Sequence, residues 1–150
     1  MSKAARFFNK PSSVERLFNR LFGILVGLGL GLSHNYLLQA RGRKSGRIYS
    51  TPINLLIVNG RKYLVAPRGE TQWVRNAQSS GEIWLKKGGR RHHFRLKNIP
   101  DEEKSELLKL YLDQFRTTAQ RYFPVAAGSG AEAFSAIASQ YPVFELEPVA

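Results

Sequence analysis

The dipeptide Asn59-Gly60, placed between two apolar runs, constrains the fold of this chain more than any other feature. Asn and Gly readily adopt the left-handed conformations that a two-residue hairpin turn requires. Residues 48–58 and 61–66 contain many β-favouring side chains and are predicted to be the two strands of this hairpin. Pro52 removes one backbone donor from the first strand, which places that strand at an edge or at a bulge.

Turn and helix signals divide the rest of the chain into short elements. Thr71 and Gly81 are predicted to cap and to end a short helix. The acidic run after Pro100 predicts the start of a longer one, because the helix dipole favours negative charge there. The other predicted elements are strands at 35–41, 82–87, 90–99 and 142–148, and helices at 71–79, 100–122 and 132–139. Strands outnumber helices and are joined mostly by hairpins, so the predicted fold is mainly β with flanking helices (α+β), an antiparallel sheet or barrel.

The first 33 residues differ in character from the rest. Scattered cations precede the apolar stretch 21–32, which is 12 residues long, whereas a membrane-spanning helix needs about 20. No small-residue cleavage site follows it, so neither a transmembrane helix nor an exported signal is predicted. We expect a cytoplasmic protein with two parts. Residues 1–33 form a basic, apolar helical arm, packed on the domain or lying peripherally on a membrane, and residues 34–150 form the barrel.

The charge balance indicates an anionic partner. The chain has 23 Lys and Arg residues against 11 Asp and Glu residues, which gives a formal net charge of +12. Such a surplus suits nucleic acid, an anionic membrane surface or a polyanionic small molecule. Composition alone leaves all three open.

Several kinds of chemistry are excluded or disfavoured. The chain has no Cys, which excludes thiol nucleophiles, disulfides and thiolate metal sites. Neither an HExxH zinc motif nor a Walker-type phosphate loop is present. The histidines are His34, His92 and His93, and the last two would face opposite sides of a strand. No metal site and no catalytic histidine are predicted.

The glycine-bracketed basic segment 41–47, with the sequence RGRKSGR, is the first candidate binding site. Gly42 and Gly46 let the backbone turn tightly and approach a ligand closely. The backbone N–H groups of such a turn can form an anion-binding concavity, to which Arg and Lys side chains add charge. The alternative is an ordinary solvated hairpin turn, and this segment alone does not decide between the two.

The second candidate is the segment 66–76, in which a strand ends, a glycine turn follows and a helix begins. The free N–H groups of a helix start can face an anion or a ring carbonyl. Trp73 offers an aromatic plane, and Asn76 lies on the same face of the helix because it is three positions further on. Trp73 could equally be a core residue, so this segment is also ambiguous when it is taken alone.

Together these segments resemble the deazaflavin-dependent nitroreductase family of flavin/deazaflavin oxidoreductases. The features that match are the GRKSG segment, the proline in the next strand, the W-x-x-N segment and the closing PVFELEP strand. The resemblance covers roughly residues 36–148. It implies a split β-barrel of the FMN-binding type that holds the deazaflavin coenzyme F-420 (F420 below), with FMN as the alternative cofactor. The coenzyme carries a phosphate and an oligoglutamate tail, which suits a chain of charge +12.

The resemblance also implies which residues bind the cofactor. GRKSG corresponds to the phosphate-binding loop of the family, and the following strand, turn and helix start correspond to the wall around the ring. The residues implied are Arg43, Lys44, Ser45, Gly46, Arg47, Thr51, Pro52, Ala66, Pro67, Arg68, Trp73 and Asn76. This chain departs from the family at Tyr49, where many relatives carry Arg, and Arg47 is the candidate replacement. Tyr122 and Tyr141 are, by region, the candidates for the substrate-side tyrosines of the family.

The activity implied is hydride transfer from the reduced coenzyme to an electron-poor small molecule, such as a quinone, a nitro compound or an activated alkene. In such enzymes the cofactor performs the difficult step, so the absence of a catalytic dyad is no objection. Proton delivery is expected from solvent, Tyr122 or Ser45. The alternatives are an FMN-binding split-barrel protein, a barrel that carries a cofactor without turnover and, with least support, a nucleic-acid-binding module. The chain is expected to be a monomer or a homodimer.

Overall fold

The computed structural model describes residues 34–149. The predicted helical arm at 1–33 lies outside the described residues. The strands are β1 (Asn35–Arg41), β2 (Ile48–Asn54), β3 (Leu56–Val58), β4 (Arg61–Val65), β5 (Glu82–Lys87), β6 (Arg90–Asn98) and β7 (Val143–Pro148). The α-helices are α1 (Gln72–Ser80) and α2 (Ser105–Ala119), and 3₁₀ turns span Asp101–Glu103, Gln120–Tyr122 and Ala131–Gln140.

The strands form one antiparallel sheet in the order β2-β1-β5-β6-β7-β4-β3, curled into a half-barrel. The predicted split-barrel, α+β fold is therefore confirmed. Strand β2 lies at one edge, as Pro52 predicts, and Pro52 is paired with Leu37 of β1.

The Asn59-Gly60 hairpin forms as predicted. Asn59 has φ of 51° and Gly60 has φ of 80°, the two left-handed conformations that this turn needs. One detail of the prediction is wrong: residues 48–58 form two strands rather than one, with a break at Leu55. Leu55 is buried and its N–H donates to the carbonyl of His34, so the chain leaves β2 there to fill the core.

Two apolar clusters cover the sheet. One lies under α2 and the 3₁₀ turns and includes Leu108, Leu112 and Phe134. The other lies against α1 and includes Val74, Ala77, Ile83 and Leu85, among others. The two clusters fix α1 and α2 against the sheet, because burying apolar side chains is the main stabilising term in folding.

The helix boundaries differ in part from the sequence prediction. Gly81 ends α1 in the left-handed conformation, with φ of 77°, as expected, but Thr71 makes no side-chain capping bond. The helix predicted over 100–122 is also corrected, because the acidic run forms only a 3₁₀ turn and α2 begins at Ser105. The backbone of Phe115 departs from helical geometry, with φ of −113° and ψ of 28°.

Within residues 34–149 no helix has both the length and the hydropathy needed to cross a membrane.

Candidate active site

A large cleft of about 1530 Å³ lies among the loop after β1, strand β2, the end of β4, the start of α1 and the second half of α2. Ligand pockets commonly measure roughly 300–1,000 Å³, so this cleft has room for a large cofactor and a second molecule. Most of the residues implied by the resemblance line it: Arg43, Lys44, Ser45, Thr51, Pro52, Ala66, Pro67, Arg68, Trp73, Asn76 and Tyr122. Gly46, Arg47 and Tyr141 are not among its lining residues.

Hydrogen bonds close the loop 42–47 on itself. The N–H of Gly42 donates to the carbonyl of Arg47 at 2.6 Å, and the N–H of Gly46 donates to the carbonyl of Gly42 at 2.9 Å. The hydroxyl of Ser45 accepts from the N–H of Arg47 and lies 3.2 Å from the hydroxyl of Tyr49. Gly46 has φ of 75°, a conformation that favours glycine. These bonds satisfy the turn internally, and the exposed side chains of Arg43 and Lys44 project from it.

Asn76 ties this loop to α1. Its side-chain Oδ1 accepts one hydrogen bond from the backbone N–H of Arg43 at 3.1 Å and another from Nη1 of Arg43 at 2.7 Å. Asn76 is buried, so leaving its side-chain oxygen without a donor would be costly. The two candidate segments of the sequence therefore meet at one wall of the cleft.

The N-terminus of α1 forms part of the same wall. Thr71, Gln72 and Trp73 line the cleft there, and the first N–H groups of a helix have no partner within the helix. Oγ1 of Thr71 is a buried side-chain oxygen without a hydrogen-bond partner among residues 34–149. Trp73 is both a cleft residue and a packing residue, the two roles that the sequence leaves open. It lines the cleft and packs edge-on against Phe144, with 6.4 Å between ring centroids.

A polar network lies on the α2 side of the cleft. Nδ2 of Asn35 donates to Oδ1 of Asn54 at 2.7 Å, and Nδ2 of Asn54 donates to Oγ1 of Thr118 at 3.3 Å. The hydroxyl of Tyr111 also bonds to Asn54, but burial is the larger effect and raises the pKa of Tyr111 well above its usual value. The network joins α2 to strands β1 and β2.

All the Asp, Glu, Lys and Arg side chains in the described lining of the cleft are cationic. Arg43, Lys44, Arg68, Arg75 and Arg121 line it, and no Asp or Glu of residues 34–149 does. Burial lowers the pKa of Arg68, while the nearby Tyr122 opposes that shift. The guanidinium of Arg121 lies 4.9 Å from the centroid of the Tyr122 ring. Such a lining attracts anions from solution.

Sequence reasoning missed the α2 side of the cleft. Asn35, Asn54, Tyr111, Thr118 and Arg121 were not singled out, although all of them line it. Asn35 and Asn54 sit at paired ends of β1 and β2, and an Asn at the end of a predicted strand reads as an ordinary turn residue. Which face of α2 meets the cleft depends on packing that no local pattern encodes.

Among residues 34–149, no group of His, Asp and Glu side chains has the arrangement of a metal site. His34 lines the cleft, and burial, followed by the charge of Lys87, lowers its pKa. Its ring packs against Phe115, with 4.8 Å between centroids, so the described contacts of this histidine are those of a wall residue.

Solved structures of other proteins share this architecture at low sequence identity. One described as an F420-H2 dependent reductase (FDR-A) is 18% identical, with a TM-score of 0.52 over 77% of this chain and 95% of that one. Another, described as a domain-swapped dimer, is 18% identical, with a TM-score of 0.53 over 91% and 100% of the two chains. The heme storage protein HutZ from Vibrio cholerae is 7% identical, with a TM-score of 0.55 over 79% and 84%. These likenesses place the fold in the class of split-barrel proteins.

The sequence identifies the family within that class. The family model described as F420H(2)-dependent quinone reductase matches residues 14–129. The chain therefore belongs to the F420H(2)-dependent quinone reductase family, and it is an F420-dependent reductase whose cofactor is coenzyme F420. Among curated proteins, none matches the chain closely enough to count as a relative.

The cleft fits a coenzyme that carries phosphate and carboxylate groups. Its lining offers cations without competing carboxylates, and the loop 42–47 presents Arg43 and Lys44 beside the start of α1, where a phosphate is favoured. The unpartnered Oγ1 of Thr71 lies at that helix start. A buried hydroxyl without a partner costs free energy, and a bound ligand would supply the missing partner.

Proposed function

We propose that the cleft binds coenzyme F420 with its phosphate on the loop 42–47 and reduces a quinone-type acceptor bound on the α2 side. The observation that carries this proposal is the pair of hydrogen bonds from Arg43 to Asn76, at 3.1 and 2.7 Å. They hold the cationic loop against α1, whose first turn lines the same cleft. Cations beside a helix start favour a phosphate.

In this arrangement each part of the chain has one task. Lys44 and Arg43 bind the phosphate, Asn76 positions Arg43, and Thr71 offers its hydroxyl to the coenzyme. The ring lies along Thr51, Pro52, Ala66, Pro67 and Trp73. Walls of this kind orient the rings and exclude water from the reacting atoms. When bound, the coenzyme supplies the hydride.

The two candidate proton donors differ in their surroundings. Ser45 lies in the phosphate loop, where it accepts from the N–H of Arg47 and contacts the hydroxyl of Tyr49. Tyr122 lies at the end of α2, beside Arg68 and Arg121. Because Ser45 belongs to the phosphate loop whereas Tyr122 lies beside two cations, we favour Tyr122 as the group that delivers a proton to the reduced acceptor. Solvent is the other source.

Two finer points of the proposal concern partners. The acceptor is a small, electron-poor molecule, and the family description favours a quinone over a nitro compound or an activated alkene. A homodimer is one possible assembly, because one protein of similar fold is described as a domain-swapped dimer. Size-exclusion chromatography with light scattering distinguishes a monomer from a dimer.

The experiment that tests the proposal is a fluorescence titration with oxidised F420 and, separately, with FMN. The wild type should bind F420 saturably and more tightly than FMN. Lys44→Ala should weaken F420 binding about 10-fold or more, since a hydrogen bond to a charged group contributes about 1.5–3 kcal/mol. Lys97→Ala removes the same charge from an exposed position on β6 outside the cleft lining and should leave the affinity unchanged.

Steady-state assays with reduced F420 and 2-methyl-1,4-naphthoquinone complete the test. Turnover by the wild type supports the enzyme, whereas tight binding without turnover would indicate a cofactor carrier. Preference for FMN, or full F420 affinity in Lys44→Ala, would contradict the assignment of the cofactor and its phosphate site.

A further inference from the structure

Two of the cations that line the cleft, Arg43 and Arg121, contact different parts of the fold. Arg43 is anchored to Asn76 of α1 through the two bonds described above. Arg121 lies in the 3₁₀ turn Gln120–Tyr122 that follows α2, with its guanidinium carbon 4.9 Å from the centroid of the Tyr122 ring. A cofactor phosphate on the loop 42–47 is served by Arg43 and Lys44, whereas Arg68 and Arg121 line the cleft together with Tyr122.

Arg68, Arg121 and Tyr122 form a cluster, which we call the Tyr122 cluster. Arg68 is partly buried and lines the same cleft as Arg121 and Tyr122. Burial lowers the pKa of Arg68, and its electrostatic interaction with Tyr122 opposes that shift. The backbone carbonyl of Tyr122 accepts a hydrogen bond of 2.6 Å from the hydroxyl of Tyr141. Tyr141 is fully buried, so the backbone that carries the cluster is held by the core.

We propose that the Tyr122 cluster is an oxyanion site for the acceptor, where the two guanidinium groups stabilise the negative charge that a quinone oxygen gains and Tyr122 donates a hydrogen bond to that oxygen. This proposal rests on the proposed function and names the residues that handle the charge of the acceptor. Preorganised donors aimed at a developing charge commonly contribute the largest single effect in catalysis.

The balance of the reaction shows why such a site is needed. Hydride transfer breaks one C–H bond of the donor and forms one O–H bond on a quinone oxygen. The quinone gains two electrons and becomes a hydroquinone monoanion, with its charge on the other oxygen, while the coenzyme is oxidised by two electrons. One proton, from Tyr122 or water, then neutralises that oxygen, and solvent restores the proton of Tyr122. Cations at this oxygen lower the energy of the monoanion, and no Asp or Glu of residues 34–149 lines the cleft to oppose them.

A quinone that is already an anion tests this assignment by binding alone. At neutral pH 2-hydroxy-1,4-naphthoquinone is ionised, and it matches the neutral 1,4-naphthoquinone in ring size. Each compound is titrated into the protein loaded with oxidised F420, in which no turnover occurs, and into the protein without coenzyme. The variants are Arg121→Gln, Arg68→Gln and, as the control, Arg116→Gln, which removes the same charge from an exposed position on α2 outside the cleft lining.

The expected result is a loss of at least 10-fold in affinity for the anion in Arg121→Gln and in Arg68→Gln. The loss for the neutral quinone should be less than 3-fold, F420 affinity should be unchanged in Arg121→Gln, and Arg116→Gln should behave as the wild type. In turnover, the same two variants should lower kcat for 2-methyl-1,4-naphthoquinone more than they raise its KM. Circular dichroism and thermal unfolding of each variant exclude a folding defect as the cause.

Two results would overturn the oxyanion site. If Arg68→Gln and Arg121→Gln weaken F420 as much as Lys44→Ala does, these cations serve the coenzyme and not the acceptor. If the two substitutions weaken binding of the anion and of the neutral quinone equally, the Tyr122 cluster does not stabilise negative charge on the acceptor. Failure of the proposed function looks different, because the wild type itself would then fail to bind F420 or to reduce any quinone.

Discussion

A Cβ atom at position 42 would lie 2.6 Å from Cε2 of Tyr49 and 2.9 Å from Oγ of Ser45. Gly42 is buried beneath the Tyr49 ring, whose hydroxyl is 3.2 Å from the hydroxyl of Ser45. The absence of a side chain at Gly42 thus allows Tyr49 to pack over the loop 42–47. The close packing gives Tyr49 a structural contact with the loop 42–47.

Gly42→Ala should therefore distort the loop without unfolding the protein. The ring of Tyr49 is 50% exposed, so it can swing away from the new methyl group at little cost in stability, and the contact with Ser45 is lost. We expect F420 affinity to fall about 10-fold, which corresponds to about 1.4 kcal/mol, with a change of less than about 3 °C in the midpoint of thermal unfolding.

Gly89→Ala is the matched control for this substitution. A Cβ at Gly89 meets nothing within 4 Å, and Gly89 is not among the glycines with positive φ. Its affinity and its unfolding midpoint should equal those of the wild type. Unchanged F420 binding by Gly42→Ala would show that the packing of Tyr49 on the loop has no bearing on the site.

Much of the barrel follows from local sequence signals. Asn59-Gly60 and Gly88 direct two hairpins, because few residues other than Asn and Gly accept the left-handed conformations found there. Strands β3–β4 and β5–β6 pair across these turns. Gly81 ends α1 for the same reason, with φ of 77°. The loop 42–47 could be predicted likewise, since its glycines and cations are contiguous in the chain.

The α2 side of the cleft could not be predicted in this way. Tyr111, Thr118 and Arg121 become functional candidates only because α2 and the 3₁₀ turn after it line the cleft. Tyr111 and Thr118 reach Asn54 there across a large sequence separation. The sequence also predicts the wrong start for α2, because the acidic run 101–103 is compatible with both a 3₁₀ turn and the first turn of an α-helix. Tertiary contacts, which decide both questions, are not visible in a local pattern.

Asn76→Ala should destabilise the protein and weaken the site together. The substitution removes the acceptor of two hydrogen bonds from Arg43 and leaves a small cavity beside α1. We expect a loss of about 1–3 kcal/mol in the free energy of unfolding, measured by urea denaturation. F420 affinity should also fall, because the loop is no longer held against the helix.

Gln78→Ala provides the comparison for Asn76→Ala, since Gln78 is exposed on the same helix. It should change the free energy of unfolding by less than about 0.5 kcal/mol and leave F420 affinity intact. If Asn76→Ala lowered stability but bound F420 like the wild type, Asn76 would be a structural residue and not a positioning residue of the site.

Thr71→Val should weaken F420 binding without lowering the stability of the coenzyme-free protein. Oγ1 of Thr71 is buried and has no partner within residues 34–149, so its replacement by a methyl group of similar size removes an unsatisfied polar atom. The free energy of unfolding without coenzyme should stay equal or rise by up to about 1 kcal/mol. F420 affinity should fall about 3- to 10-fold, because the hydroxyl no longer bonds to the ligand.

Thr71→Ser keeps the hydroxyl and should retain wild-type affinity for F420. Isothermal titration calorimetry measures the affinities of both variants, and urea denaturation measures their stabilities. Equal F420 affinity in Thr71→Val and Thr71→Ser would mean that the coenzyme does not contact this hydroxyl.

The protein should lose stability at alkaline pH through Tyr141. Burial raises the pKa of Tyr141 to about 12, whereas an unfolded tyrosine titrates near 10. Between these two values the unfolded chain has released this proton and the folded chain has not. The free energy of unfolding is therefore unaffected by this group below pH 10 and falls as pH rises from about 10 to 12, by at most about 1.4 kcal/mol per pH unit.

Tyr141→Phe should flatten that decline while lowering stability at pH 7. The variant cannot ionise at this position, but it loses the 2.6 Å hydrogen bond to the carbonyl of Tyr122, which contributes about 1 kcal/mol. Some alkaline sensitivity should persist, since burial raises the pKa of Tyr111 as well. Urea denaturation at pH 8, 10 and 11 measures the slopes. Tyr49→Phe, at a ring that is 50% exposed, should retain the wild-type slope, and an equal slope in Tyr141→Phe would rule out Tyr141 as the group responsible.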